Sequence, residues 1–186
     1  MPLWDTASEL TASALDSMSV EQGAMALWHE FLGGYFSGSI HTVEGVEIDF
    51  PLAAIKCQET QFASAGAADL HLAIHVLWLK SGAVRRFLEP DDYFGMRGAY
   101  QDATWTFHFR AKGQNQGDGG PRYLVRRLAD LAFGLLQKQA VVVYLGRKGI
   151  RRIRPQSPVL VSDDRMHLRS MIVKARLVYD AEANSG

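Results

Sequence analysis

The chain has 186 residues, 47% hydrophobic and 22% charged, with 20 acidic and 20 basic side chains and one cysteine, Cys57. That length supports one domain with a real hydrophobic core, and a lone thiol excludes an internal disulfide and fits a reducing compartment. No run reaches the ~18 apolar residues of a membrane-spanning helix, and MPLWDTASEL lacks the basic and apolar regions of a signal peptide.

The zero net charge conceals a split. Residues 1–120 carry 15 Asp/Glu and 7 Lys/Arg, a net −8, and residues 121–186 carry 13 Lys/Arg and 5 Asp/Glu, a net +8. Such a division either steers association with nucleic acid or another copy, or pairs the two halves within one fold.

Residues 1–18 read as an N-terminal arm or, from the capping-box form of Thr6-Ala7-Ser8-Glu9, as a short helix. A second capping box, Ser19-Val20-Glu21-Gln22, opens a helix carrying Val20, Ala24, Leu27, Trp28, Phe31 and Leu32 at helical spacing, and Gly33-Gly34 is expected to end it. Val46, Ile48 and Phe50 alternate with Glu47 and Asp49, the pattern of a half-buried strand that Pro51 confines to an edge or kinks; LAAIKC continues it. QETQFASAGAAD reads as a hairpin connection into a long strand whose apolar face is Leu70, Leu72, Ile74, Val76 and Trp78. Residues 80–103 lose the period and read as a long connection, of the kind that is functional or folds on a partner. Trp105, Phe107, Phe109 and Ala111 then alternate with Thr106, His108 and Arg110 as a strand, and KGQNQGDGG is a polar loop.

The strongest helical signal is Pro121–Gln139. Leu124, Leu128, Leu131 and Leu135 fall within about 60° on a helical wheel, flanked by Val125, Ala132 and Leu136, with Arg122, Arg126, Asp130 and Gln137 opposite. Phe133 is expected on the polar side beside Gly134, which makes that side of the helix, with Arg126 and Asp130, a candidate contact with a second protomer. AVVVYL, β-branched and continuously apolar, reads as a buried strand. The basic stretch GRKGIRRIRP, the short strand PVLV, an SDD turn and the strand RSMIVKARLVYD follow, with Met171, Val173, Ala175, Leu177 and Tyr179 on one face of the last. Residues 19–180 are thus expected to form a single α+β domain, a mainly antiparallel sheet with two amphipathic helices packed on one face, and 181–186 a flexible tail.

Chemistry is harder to find. On a strand, His71 and His75 stand about 13 Å apart, too far to share one metal. His29, His41, His108 and His167 lack partners at ligand spacing. Asp91-Asp92 and Asp163-Asp164 sit in expected turns, where Asp commonly bonds nearby backbone. There is no nucleophile elbow, P-loop, dinucleotide fingerprint or zinc motif, so no enzyme, cofactor or metal is expected. The outstanding feature is the run Arg147, Lys148, Arg151, Arg152 and Arg154, interleaved with Ile150 and Ile153. It reads as a subunit contact opposite the acidic N-terminal part of a neighbour, or as a nucleic-acid-binding accessory domain neutralising phosphates.

The order of these features, a capped helix, a strand with the Phe50-Pro51 step, two long alternating strands, a glycine-rich loop, an Arg-rich helix and a closing RIRPQSPVLVSDD…MIVKARLVY hairpin, resembles the tail-terminator proteins of long-tailed bacteriophages, the lambdoid type included. The resemblance covers residues 19–180 and is one of layout. It implies a structural virion protein of the tail or neck, made in the host cytoplasm, that forms a homohexameric ring on the tail tube, ends tube polymerisation and joins the neck proteins. DNA would pass through its channel, and no membrane is involved. It makes residues 80–103 and 113–120 candidate inter-ring or inter-subunit contacts, and the Arg147–Arg154 run a protomer seam or channel lining. Other neck or baseplate connectors share this layout.

Overall fold

The computed structural model describes residues 17–36, 40–43, 46–49, 55–58, 72–86, 98–112, 121–163 and 166–180. The elements are α1 (Ser17–Phe36), β1 (Ile40–Val43), β2 (Val46–Asp49), β3 (Ile55–Gln58), β4 (Leu72–Ser81), β5 (Arg85–Arg86), β6 (Gly98–Lys112), α2 (Pro121–Gln137), α3 (Gln139–Arg147), β7 (Ile150–Pro155), β8 (Val159–Asp163) and β9 (Met166–Asp180). Among the described residues the fold is α+β, with three helices and a mostly antiparallel main sheet. The expected N-terminal helix, the Phe50-Pro51 step, His71, Asp91-Asp92, the 113–120 loop and the C-terminal tail lie outside the described residues.

The sheet is organised on β6. It pairs antiparallel with β9 in unbroken register from Gly98↔Asp180 to Lys112↔Met166, and on its other side with β4 and then β5. The full order is β3-β4-β6-β9-β7, with β8 following β7 along the outer edge of β9; β1 and β2 form a separate antiparallel pair. Period-2 alternation explains the long strands. The row Ala103, Trp105, Phe107, Phe109 and Ala111 of β6 and the row Met171, Val173, Ala175 and Leu177 of β9 are buried. They share one core with Trp28 of α1, Leu128 of α2 and Leu145 of α3.

LAAIKC does not continue the strand before it, because β2 pairs with β1 and β3 joins the main sheet beside β4, and four further expectations fail, each for an identifiable reason. First, β3 pairs parallel with β4, Ile55 opposite Ile74, so the segment between them is not a hairpin connection. Second, β6 begins at Gly98 rather than near Trp105, which shortens the supposed 80–103 connection and removes its last residues as a contact loop. The reason is that its inward residues there are Ala99, Gln101 and Ala103, small or polar yet at most 2% exposed, so the hydropathy period is silent where the ladder runs on. Third, α1 starts at Ser17 and continues through Gly33-Gly34 to Phe36. Ser19 is therefore inside the helix. Burying Phe36 completely contributes about 1.5–3 kcal/mol, enough to offset much of the ~1 kcal/mol cost of each helical glycine.

Fourth, AVVVYL is helical. A continuous apolar run of this length cannot be told from a strand by periodicity. In α3 it buries Val141 and Leu145, four residues apart, and leaves Val143 exposed. The chain breaks from α2 at Lys138, whose backbone is extended, and the two helices meet at 70°. No single helix among the described residues is long and apolar enough to cross a membrane.

Helix α2 has the expected span but is rotated. Its fully buried residues are Val125, Leu128, Ala129, Ala132, Leu135 and Leu136. Their arc is centred on Ala132, about 60–70° from the centre of the leucine stripe. Two alanines at the centre let the helix approach the sheet closely. Leu124 and Leu131 become one flank, and Phe133 becomes the other, half-buried and packed against the core. Phe133 is therefore not an outward contact residue. Gly134 is exposed, with nothing within 4 Å of where a Cβ would stand, whereas Gly149 holds φ 95° at the turn from α3 to β7 and its carbonyl accepts from the Val178 N–H at 2.9 Å. Gly134→Ala should therefore stabilise the protein by about 0.5–1 kcal/mol, and Gly149→Ala should destabilise it by about 1–2 kcal/mol. Denaturant midpoints of the two variants check both signs.

Candidate functional site: a basic groove on the sheet edge

The basic run does not act as one unit. Its first part closes α3. Arg147 ends the helix, exposed and in the last turn, where a cation suits the helix dipole. Lys148 is the C-cap, with its N–H donating to the carbonyls of Tyr144 (3.3 Å) and Leu145 (3.1 Å). It is 9% exposed, which corrects the expectation that it offers a free contact. Arg151, half-buried, donates from Nε to the Gly146 carbonyl at 3.2 Å and so satisfies a backbone group at the helix end.

The second part follows a β-bulge. Ile150 stands opposite Leu177 and Arg151 opposite Arg176, but Arg154 stands opposite Lys174, so Arg152 and Ile153 together face the single residue Ala175. The extra residue is accommodated at Arg152, which has φ 51°, the left-handed region that a glycine usually occupies in such bulges. The bulge lets Ile150 and Ile153, three residues apart, both reach the core, while Arg152 and Arg154 remain exposed.

Arg152 and Arg154 line one side of a groove of about 280 Å³, completed by Lys174 and Arg176 of β9 and by Asp102 and Thr104 of β6. Arg176 is fixed in place. Its Nε donates to Asp102 Oδ1 at 2.9 Å, its Nη2 to Oδ2 at 3.4 Å, and its guanidinium carbon lies 4.3 Å from the centre of the Tyr100 ring. The Arg176 hydrogen bond, helped by the positive charges of Arg176, Arg85 and Arg152, holds the Asp102 carboxyl below the usual carboxylate range, against the opposing effect of burial. Asp102 is largely exposed, so the pair orients Arg176 more than it stabilises the fold. The rim thus gathers four cations and one carboxylate already engaged by a cation.

Sequence reasoning found Arg152 and Arg154 but missed Lys174, Arg176 and Asp102. Lys174 and Arg176 are visible only as the polar alternates of the last strand, and which basic residues face them depends on the register. Of the other candidates, Arg126 and Asp130 are exposed and pair with each other at 3.7 Å, an i,i+4 contact on α2 worth about 0.3–0.5 kcal/mol. They are not brought near the groove residues by any contact among the described residues.

A second polar cluster lies on β4 and β6. His75 is directly opposite His108, and the row is flanked by Lys56 opposite His75 on β3 and by Ser170 opposite His108 on β9. His75, although on the alternate face from Ile74 and Val76, is 4% exposed. Burial first, then the positive charges of Arg110, His108 and Lys56, pushes its imidazole from the ordinary 6.5 down to about 4. Burial, and then Arg110, also lowers His108. Cys57, next to Lys56, packs against the core, and burial pushes its thiol up to about 12, which leaves it a poor nucleophile. No group of three or more His, Cys, Asp or Glu side chains suited to a metal occurs among the described residues.

No protein-family model matches the sequence, and no curated protein matches it.

The histidine pair carries a pH signature. An imidazole whose folded pKa is depressed binds its proton more readily in the unfolded chain, so it costs nothing above 6.5 and destabilises progressively as pH falls toward 4. The melting temperature should drop across that window. His75→Gln should flatten the drop, measured by thermal unfolding at half-unit pH steps against the parent.

Proposed function

We propose that the chain is a structural virion protein of a bacteriophage tail that works by assembling with copies of itself, and that it acts as a tail terminator: a ring, a hexamer by the resemblance, that closes the head-proximal end of the tail tube and presents a surface to the neck. The observation that carries this reading is the outer edge of the sheet. In β8, three consecutive residues, Val159, Leu160 and Val161, are 59%, 43% and 45% exposed. Successive strand residues point to opposite faces, so β8 carries exposed apolar side chains on both faces. Among the described residues β8 pairs only with β9. An apolar edge strand with its outward N–H and C=O row unpaired is a template for another chain. A protein whose working part is such an edge needs no catalytic site.

The layout of the chain and its α+β fold agree with that reading. So does the charge division, because an acidic N-terminal part and a basic C-terminal part on each copy are complementary between neighbours in a closed head-to-tail ring. The helix α2 is a weaker candidate for the seam than its sequence suggested, since Phe133 packs inward and Arg126 and Asp130 neutralise each other. A second reading, an accessory domain that binds nucleic acid, is favoured by the basic groove alone.

Light scattering over a concentration series, alone and with purified tail tubes, tests the proposal. A ring-sized species is expected in at least one condition. Val161→Lys places a charge on the exposed edge and should shift that species toward monomer, while the monomer's melting temperature moves by no more than about 1–2 °C, as a surface change does. A parent protein that stays monomeric at every concentration and on tail tubes would rule the ring out.

A further inference from the structure

The groove beside the bulge has an electrostatic arrangement that a protein with no ligand there would be expected to avoid. Arg154 stands directly opposite Lys174, and Arg151 directly opposite Arg176, in adjacent antiparallel strands. Like charges directly opposite each other in a ladder destabilise it. Asp102 is bonded to Arg176 and also feels the charges of Arg85 and Arg152, and no salt bridge to Arg152, Arg154 or Lys174 is found among the described residues.

Backbone strain points the same way. Arg152 holds φ 51° at a position where glycine adopts that conformation without strain. The chain accepts a left-handed arginine where the result is a guanidinium on the groove's rim. Arg176, meanwhile, is tethered by Asp102 and by the Tyr100 ring, so one donor group is already oriented before anything binds. A planar, oriented guanidinium with further cations around a shallow concavity matches the several accepting oxygens of a tetrahedral phosphate.

We propose that the groove lined by Arg152, Arg154, Lys174 and Arg176, together with Asp102 and Thr104, is an anion site that takes phosphate groups. The groove is at the small end of ligand-site volumes, about 280 Å³, and it is open to solvent. It therefore suits one or two phosphate groups rather than a whole enclosed ligand. The same chemistry is offered by successive phosphates of a nucleic-acid backbone and by a free polyphosphate such as pyrophosphate. This site is independent of the ring reading: it needs no second copy, and it excludes Arg147, Lys148 and Arg151, which belong to the end of α3.

Two measurements separate the sources. Thermal unfolding in pyrophosphate and in potassium chloride at matched ionic strength should show a higher melting temperature in pyrophosphate. Fluorescence anisotropy with a labelled single-stranded 12-mer and a labelled 12-base-pair duplex reports backbone binding, with affinity falling steeply as salt rises. Binding of an oligonucleotide that pyrophosphate displaces assigns the site to backbone phosphates; a pyrophosphate shift with no oligonucleotide binding assigns it to a free anion. Either result supports the site, provided that Arg154→Gln, Lys174→Gln and Arg152→Gly each reduce the response at least about tenfold in affinity while Arg122→Gln, on exposed α2, leaves it unchanged. Arg152→Gly should also raise the melting temperature without ligand, because the left-handed backbone is then unstrained. Absence of both responses, or undiminished binding in any of the three groove variants, overturns the assignment.

Discussion

Trp28 seated on β6 is the contact on which the rest of the structure depends. Its ring meets Trp105 and Phe107 edge-on, with centroids 5.5 and 5.2 Å apart, and Phe31 one turn later at 6.3 Å. Trp105 in turn meets Trp78 of β4 at 5.2 Å. Each such pair contributes about 0.5–1.5 kcal/mol beyond the area it buries, and together they bind the first helix to the central strand and its neighbour. Phe31 also stacks with Tyr144 at 6.3 Å, which carries the same packing to α3. Because β6 is paired along its whole length with β9, whatever fixes β6 fixes the strand that holds both β7 and β8. The groove and the apolar edge are therefore built on the rigid centre of the sheet although they lie at its margin.

The parts of the fold that could be read from the chain are those where side-chain chemistry and backbone period agree. Trp105 to Ala111 and Met171 to Leu177 alternate cleanly and are strands; the leucines of α2 repeat at 3.6 and form a helix. Reading fails where a residue's burial contradicts its chemistry. Ala99, Gln101 and Ala103 are core positions without large apolar side chains, so seven residues of β6 looked like loop. Val141 to Val143 are strand-formers by preference, yet tertiary packing of Val141 and Leu145 makes them helical. Parallel pairing of β3 and β4 is a choice of direction, and no local pattern records it.

The site was half legible for a related reason. The cations of β7 are conspicuous because they are contiguous, while Lys174 and Arg176 are ordinary polar alternates of a half-buried strand. What joins them is the register between β7 and β9, and that register contains a slip. Ile150 and Ile153 are the trace of it in the sequence: two core residues three apart are incompatible with a regular strand, so a residue must be absorbed between them. The spacing therefore implies a bulge, which keeps Ile150 and Ile153 on the core face and Arg151 and Arg154 together on the opposite one; what separates the two arginines is the bond each side chain makes. Arg151 is committed to the end of α3 and Arg154 to the groove.

The slip also continues. Past Pro155, the Gln156 N–H donates to the Ile172 carbonyl at 2.8 Å, and β8 resumes along β9 with Val159 opposite Ser170. β7 and β8 are in effect one bent edge strand that is offset again between its halves. The two halves face the edge-strand hazard differently. Charged side chains guard β7, a common way of keeping a second strand from pairing there. β8 carries Val159, Leu160 and Val161 and no charge until Asp163. A pairing chain would therefore meet the edge at β8 and be turned away at β7, while an anion would be drawn to β7 and find nothing at β8. One strand edge thus divides into a segment suited to protein contact and a segment suited to phosphate.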